Sequence, residues 1–200
     1  KAAKVGVYPE LKHPTYFAKI GLPMEARFAQ EVKAAGLNSK SAPIFVQCFE
    51  TTSLIKLGGM INCRQVFLMD SEGAPADLVA AGDARTYADL ATSEGLKQVA
   101  KFADGIGPYK AMILPTDKDG NWTQPTSLVA DAHAAGLVLH PYTFRAENYF
   151  LPPALRLGDP MAADYLAQHG NMAAEIQRFV ALGIDGLFSD FPGLAVAATR

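Results

Sequence analysis

One junction recurs in this sequence and constrains it more than any other feature: an amphipathic helix ends on small residues and glycine, and an apolar run follows at once. It occurs at Ala34–Leu37, Ala134–Leu137 and Leu182–Ile184. Helices that stop at glycine and feed directly into apolar strands belong to an alternating β and α chain with parallel strands buried on both faces. Residues 23–36 open with Pro23, set Phe28, Val32 and Ala35 on one side at helical spacing, and stop at Gly36. Residues 126–136 start at Thr126 and stop at Gly136. Residues 159–170 offer Asp159 as a cap, Pro160 as first helical residue and Gly170 past the end. Residues 171–183 begin at Asn171, are expected to bury Ile176, Phe179 and Val180, and end at Gly183.

Six short apolar strands are expected: Val5–Leu11, Ile44–Phe49, Gln65–Met69, Gly105–Gly107, Leu137–Phe144 and Gly186–Ser189. Such a chain forms an open doubly wound sheet or a closed barrel. A (β/α)8 barrel needs eight strands and typically about 250 residues, so two βα units would be absent from a barrel here. Ser71–Thr92 lacks a strong period and reads as a long βα loop, a lid or rim element. Asp117–Gln124 reads as a second turn-rich excursion, and no second domain is expected.

Composition narrows the function classes. Half the residues are hydrophobic and 19% are charged, which excludes a disordered chain. A net charge of −2, with no Lys/Arg run, gives no field for binding nucleic acid. No apolar stretch approaches the roughly eighteen residues that span a bilayer. Cys48 and Cys63 show no pairing logic and read as small buried or half-buried thiols. The sequence begins at Lys1 without a signal-like segment, as expected of a fragment or of a chain from which a leader and more have been removed.

In parallel α/β architectures, functional side chains stand at the carboxyl ends of strands. In the first strand Tyr8, Glu10 and Lys12 share a face, about 6.6 Å from one to the next. The carboxylate suits a hard cation and the ammonium a phosphate oxygen; from spacing alone, a strand-end ion pair is the plainer reading. Gln47 and Phe49 share the next strand's face and serve equally to orient a polar ligand or to fill the interior. His140, Tyr142 and Phe144 alternate onto one face, Asp190 closes the last strand, and Pro192 is expected to begin a turn.

Together these segments resemble the glycerophosphodiester phosphodiesterase family. Glu10-x-Lys12 is similar to the Glu-x-Lys motif ending the family's third strand. Gln47-Cys48-Phe49 is similar to the Gln/Ser-x-Phe pattern of the fourth, and Tyr142-Thr143-Phe144 to the aromatic-Thr motif of the seventh. Gly183 to Asp190 is similar to the last strand's Gly-x-Asp-Gly-x-x-(Thr/Ser)-Asp. Phe102–Pro108 and His140–Arg145 further resemble the bacterial periplasmic subgroup.

The resemblance implies an α/β fold of the (β/α)8 TIM-barrel type. Residues 1–200 would then form a single partial barrel with about six of the eight βα units, lacking the first two. It implies hydrolysis of a small glycerophosphodiester to glycerol 3-phosphate and an alcohol, in lipid and glycerol metabolism. It implies a divalent metal, calcium or magnesium, held by three carboxylates of which Glu10 matches one. Lys12 matches the phosphate-contacting residue. Phe49, Tyr142 and Phe144 match positions that shape the glycerol pocket, and Gln47 belongs with them as substrate-binding. Location would be periplasmic or secreted.

The family's acid–base histidines lie in a His-Arg-Gly motif and after the second strand, and neither exists in this sequence. His13, His133, His140 and His169 match no catalytic position, so no catalytic residue is assigned in this chain. Two other readings stay open: a non-catalytic barrel that binds phosphate-bearing ligands or partner proteins, and a related phospholipase or phosphatidylinositol-cleaving enzyme. A His-Arg-Gly motif and a Glu-x-Asp pair ahead of Lys1 would decide for the enzyme.

Overall fold

At all three junctions a glycine carries the turn. Gly36, Gly136 and Gly183 stand at φ 70°, 79° and 95°, the left-handed region where a Cβ is strained, and the chain leaves the first two directly into Leu37 and Leu137. In the computed structural model, which describes residues 5–200, the first of these glycines closes α2 (Glu25–Ala34) and the second α7 (Leu128–Ala134). The third predicted junction follows α8 (Met172–Ala181). Lys1 to Lys4 lie outside the described residues, and with them the reading of the chain's start.

Four parallel strands lie side by side in chain order: β1 (Phe45–Cys48), β2 (Arg64–Met69), β3 (Gly105–Pro108) and β4 (Val138–Leu139). The register pairs Val46 with Gln65, Phe67 with Ile106, and Ile106 with Leu139. The predicted first and last strands flank this sheet through single parallel bridges. Val7 pairs with Ile44 and Glu10 with Gln47 on one side, and Phe144 pairs with Ser189 on the other. The predicted strand 137–144 is therefore shorter than expected. Pro141 has no N–H to donate, and the run continues only as bridges at Tyr142 and Phe144.

The helices cover one face. Ile44, Val46, Cys48, Phe67, Met69, Ile106 and Leu139 are buried there, beneath α2, α3 (Thr51–Gly58), α6 (Ser93–Val99) and α7. On the other face Tyr8, Phe45, His140 and Phe188 converge and stay half-buried. Ring centroids are 5.1 Å apart for Tyr8–Phe45 and 4.7 Å for Tyr8–Phe188, so the two flanking segments approach each other across the concave side. Between them lies a cleft of about 820 Å³ walled by Gly6, Tyr8, Val180, Ile184, Phe188 and Val196.

Four local expectations need correction. Residues 159–170 form successive turns, not a helix. Met161 and Leu166 there are exposed, so no apolar stripe rewards a helix. Asn148, fully buried, fixes the turns by donating to the carbonyls of Leu157 and Tyr165 at 2.7 and 2.8 Å. Ser71–Thr92 is not a bare loop: it folds into α4 (Ala76–Ala81) and α5 (Tyr87–Leu90), which bury Leu78, Tyr87 and Leu90. A capping box between Thr86 and Asp89 starts the second of these. Pro192 opens α9 (Pro192–Ala198) rather than a turn, at the position where its missing N–H costs nothing. Val180 is 44% exposed, because it faces the cleft.

Candidate functional site

Segment 5–11 is laid against β1 by alternating backbone bonds. Gln47 N–H donates to the Pro9 carbonyl and Leu11 N–H to the Gln47 carbonyl, both at 3.0 Å. That register carries Glu10 to the carboxyl end of the sheet. Lys12 follows, and its ammonium stands 3.7 Å from the Glu10 carboxylate, both open to water. The Glu10 carboxylate accepts no hydrogen bond among the described residues. A pair this loose and solvated contributes about 0–1 kcal/mol, so fold stability does not explain why it is there.

Lys12 lies 5.8 Å from the centre of the Phe49 ring. Phe49 meets Tyr142 edge-on at 5.9 Å, and Tyr142 lies 5.9 Å from Tyr109. The Tyr142 hydroxyl donates to the Met69 carbonyl at 3.0 Å. Burial raises the pKa of that hydroxyl, and the negative charge of Asp70 and more weakly Glu10 pushes the same way. Four of the six predicted residues thus form one string across the sheet's rim: Glu10, Lys12, Phe49 and Tyr142. Gln47 lies beneath them, buried, with its side-chain amide a long 3.5 Å from the Tyr8 carbonyl. Phe144 is elsewhere: fully buried, 5.0 Å from the Phe179 ring, with the Lys110 ammonium 5.5 Å above it.

Two rim residues escaped sequence reasoning. Asp70 follows the apolar run Phe67–Met69, and Tyr109 follows β3. Each stands directly after an apolar strand, the same signal that singled out the others.

A second layer holds the rim in place. The buried Glu50 carboxylate accepts from the Thr15 N–H at 2.9 Å and from the Thr15 hydroxyl. The Cys48 thiol donates to the Leu11 carbonyl at 3.1 Å, and burial pushes its pKa up to about 12, so it is an inert thiol. Asp77 accepts from the Thr51 hydroxyl and the Thr52 N–H at 2.8 and 2.6 Å. These bonds join the strand ends to α1 (Pro14–Lys19), α3 and α4.

Three histidines have structural partners. His133 and Asp185 stand 2.9 Å apart, His140 shares a 2.9 Å hydrogen bond with Tyr8, and His169 packs on Phe191. His13 is exposed ahead of α1. Among the described residues no three His, Cys, Asp or Glu side chains converge as a metal-binding set. A hard divalent cation is held by oxygen ligands, and the described residues supply no three-carboxylate set of the kind the resemblance implies. Among them, no helix is long and apolar enough to cross a membrane.

The comparisons identify the family. The model of the glycerophosphoryl diester phosphodiesterase family matches residues 2–194. The glycerophosphodiester phosphodiesterase GDPD6 of Arabidopsis thaliana is 31% identical over 201 residues, covering 94% of this chain and 50% of the relative. A glycerophosphodiester phosphodiesterase of Haemophilus influenzae is 24% identical over 209 residues, covering 96% of this chain and 52% of the relative. A solved structure of a candidate glycerophosphoryl diester phosphodiesterase from Silicibacter pomeroyi superposes with a TM-score of 0.58 at 19% identity, over 94% of this chain and 48% of that one. The chain spans about half the length of the curated relatives it matches.

Proposed function

Because the chain belongs to the glycerophosphoryl diester phosphodiesterase family, we propose that the whole protein hydrolyses glycerophosphodiesters to glycerol 3-phosphate and an alcohol, with a divalent cation, at the rim of a TIM barrel. The observation that carries this reading is the string Glu10–Lys12–Phe49–Tyr142: an acid, a cation and two aromatic rings side by side at the carboxyl ends of neighbouring strands. In the proposal Lys12 holds a phosphate oxygen, and Phe49 and Tyr142 wall the glycerol portion. Gln47 orients the polar groups between them, and Phe144, buried against Phe179, lies apart from that wall.

Glu10 supplies one carboxylate to calcium or magnesium, and the remaining ligands come from outside residues 5–200. The cation would neutralise charge on the phosphodiester, whereas the residues here bind and orient it. Protons for the leaving alkoxide need an acid–base pair, and in this reading both histidines belong to a segment outside this chain. Two further βα units are part of the reading, and the 820 Å³ cleft that opens beside the Tyr8–Phe188 contact is where they would meet this chain. A periplasmic or secreted location is part of the same proposal and rests on the subgroup resemblance.

The test is release of glycerol 3-phosphate from glycerophosphocholine or glycerophosphoglycerol by the complete protein. Activity should vanish with a chelator and return with added calcium or magnesium. Absence of release, or release indifferent to the chelator, would set the reading aside.

A further inference from the structure

Next to this string lies a second pocket, of about 190 Å³, between the loop after β3 and the loop after the Tyr142–Phe144 segment. Tyr109 belongs to both the pocket and the string, and Lys110 N–H donates to the Tyr142 carbonyl at 2.9 Å. Its walls include the rings of Trp122, Tyr149 and Phe150, and its floor is the ion pair of Lys110 with Glu175 at 2.7 Å. Lys110 is 12% exposed and Glu175 1%. Burying such a pair loses hydration that the attraction does not reliably return, so stability alone is a poor reason for it.

Resting on the proposed diesterase activity, we propose that this pocket takes the alcohol half of the diester, and that it selects a small neutral polyol such as glycerol over a quaternary ammonium alcohol such as choline. The Lys110 ammonium donates to Glu175 and, at 3.2 Å, to the Phe150 carbonyl, which leaves one of its three N–H groups for a ligand oxygen. Its charge is already balanced by Glu175, which suits a neutral hydroxyl better than a second anion. A quaternary ammonium would meet like charge here: Lys110 and Arg156 line the pocket, and of its aromatic walls Phe150 already carries a cation on its face. That cation is Arg145, 4.5 Å from the ring centre.

The experiment compares kcat/KM of the complete protein for glycerophosphoglycerol and glycerophosphocholine, and follows Trp122 emission during a glycerol titration. Trp122 is the one tryptophan of these 200 residues, and a Trp122→Phe variant isolates its signal in the complete protein. Expected are a preference of about tenfold or more for glycerophosphoglycerol and a saturable emission change with glycerol. The double variant Lys110→Met/Glu175→Leu removes the pair together and leaves no unpaired buried charge. It should bring the two substrates within roughly threefold of each other and abolish the emission change. Tyr149→Ala, at an exposed position, should weaken the preference without threatening the fold. Equal rates on both diesters, a preference for choline, or a preference that survives the double variant would overturn the proposal while leaving the diesterase reading intact. An emission change that the double variant abolishes, with neither diester hydrolysed, would keep the polyol pocket and remove the diesterase reading.

Discussion

Glu10 and Lys12 are separated by 3.7 Å on a rim open to water, where mutual attraction contributes little. In the proposed function their value lies in what each offers a ligand. If Lys12 holds a phosphate oxygen in both ground and transition states, Lys12→Ala should raise KM and lower kcat together, for a loss in kcat/KM of about tenfold or more. Steady-state kinetics on the complete protein decide it, and normal kinetics would reduce Lys12 to a surface ion pair. At this scale the sequence was informative where a polar residue follows an apolar one, as at Glu10 and Lys12. The same rule points to Asp70 and Tyr109, but neither lies in a recognised motif. Lys110 and Glu175 stayed hidden for a different reason: they are 65 residues apart in the chain and meet only through the fold.

Between elements, buried carboxylates act as clasps. Glu50, 3% exposed, ties the start of α1 to the end of β1 through Thr15, and so holds the loop carrying Lys12 above Phe49. Thr15→Val removes one donor to a buried carboxylate at nearly constant volume. It should lower stability by about 1–3 kcal/mol, seen as a lower urea midpoint at unchanged slope. An unchanged midpoint would mean that water replaces the hydroxyl at no cost. Helix ends were legible wherever a glycine or a capping side chain sets them, as at Gly36, Gly136 and Asn171, whose side chain accepts from Ala174 N–H at 3.0 Å. They misled at 159–170, where cap and stop signals were present but Met161 and Leu166 had no apolar surface to cover. Capping chemistry biases a helix; burial of a face decides it. In Ser71–Thr92 the reverse held, and the core contacts of Leu78, Tyr87 and Leu90 made helices of a stretch with little periodicity.

Across the whole molecule, the parallel order of the sheet follows from the alternation of strand and helix, whereas its curvature does not. Curvature is seen in the contact of Tyr8 with Phe188 and His140, residues from opposite flanks whose distance no local pattern encodes. This aromatic layer should give stability a pH dependence. Burial, with a smaller push from Arg64, holds the His140 imidazole below its ordinary value near 6.5, against the opposing pull of Asp185. As pH falls below 6.5 the unfolded chain takes up that proton first, so the stability present above 6.5 is lost towards the lower folded value. His140→Gln keeps a hydrogen-bonding side chain beside Tyr8 but cannot titrate. Its urea midpoint should fall less than the wild type's between about pH 7.5 and about pH 5.5; an equal fall would place the acid sensitivity elsewhere. The most direct test of the central claim, that Glu10 faces the barrel mouth to hold a cation against a phosphodiester, is diester hydrolysis by a Glu10→Gln variant of the complete protein as calcium or magnesium is titrated. Background rates at every metal concentration, with an unchanged melting temperature, are predicted. Wild-type rates at saturating metal would contradict the account.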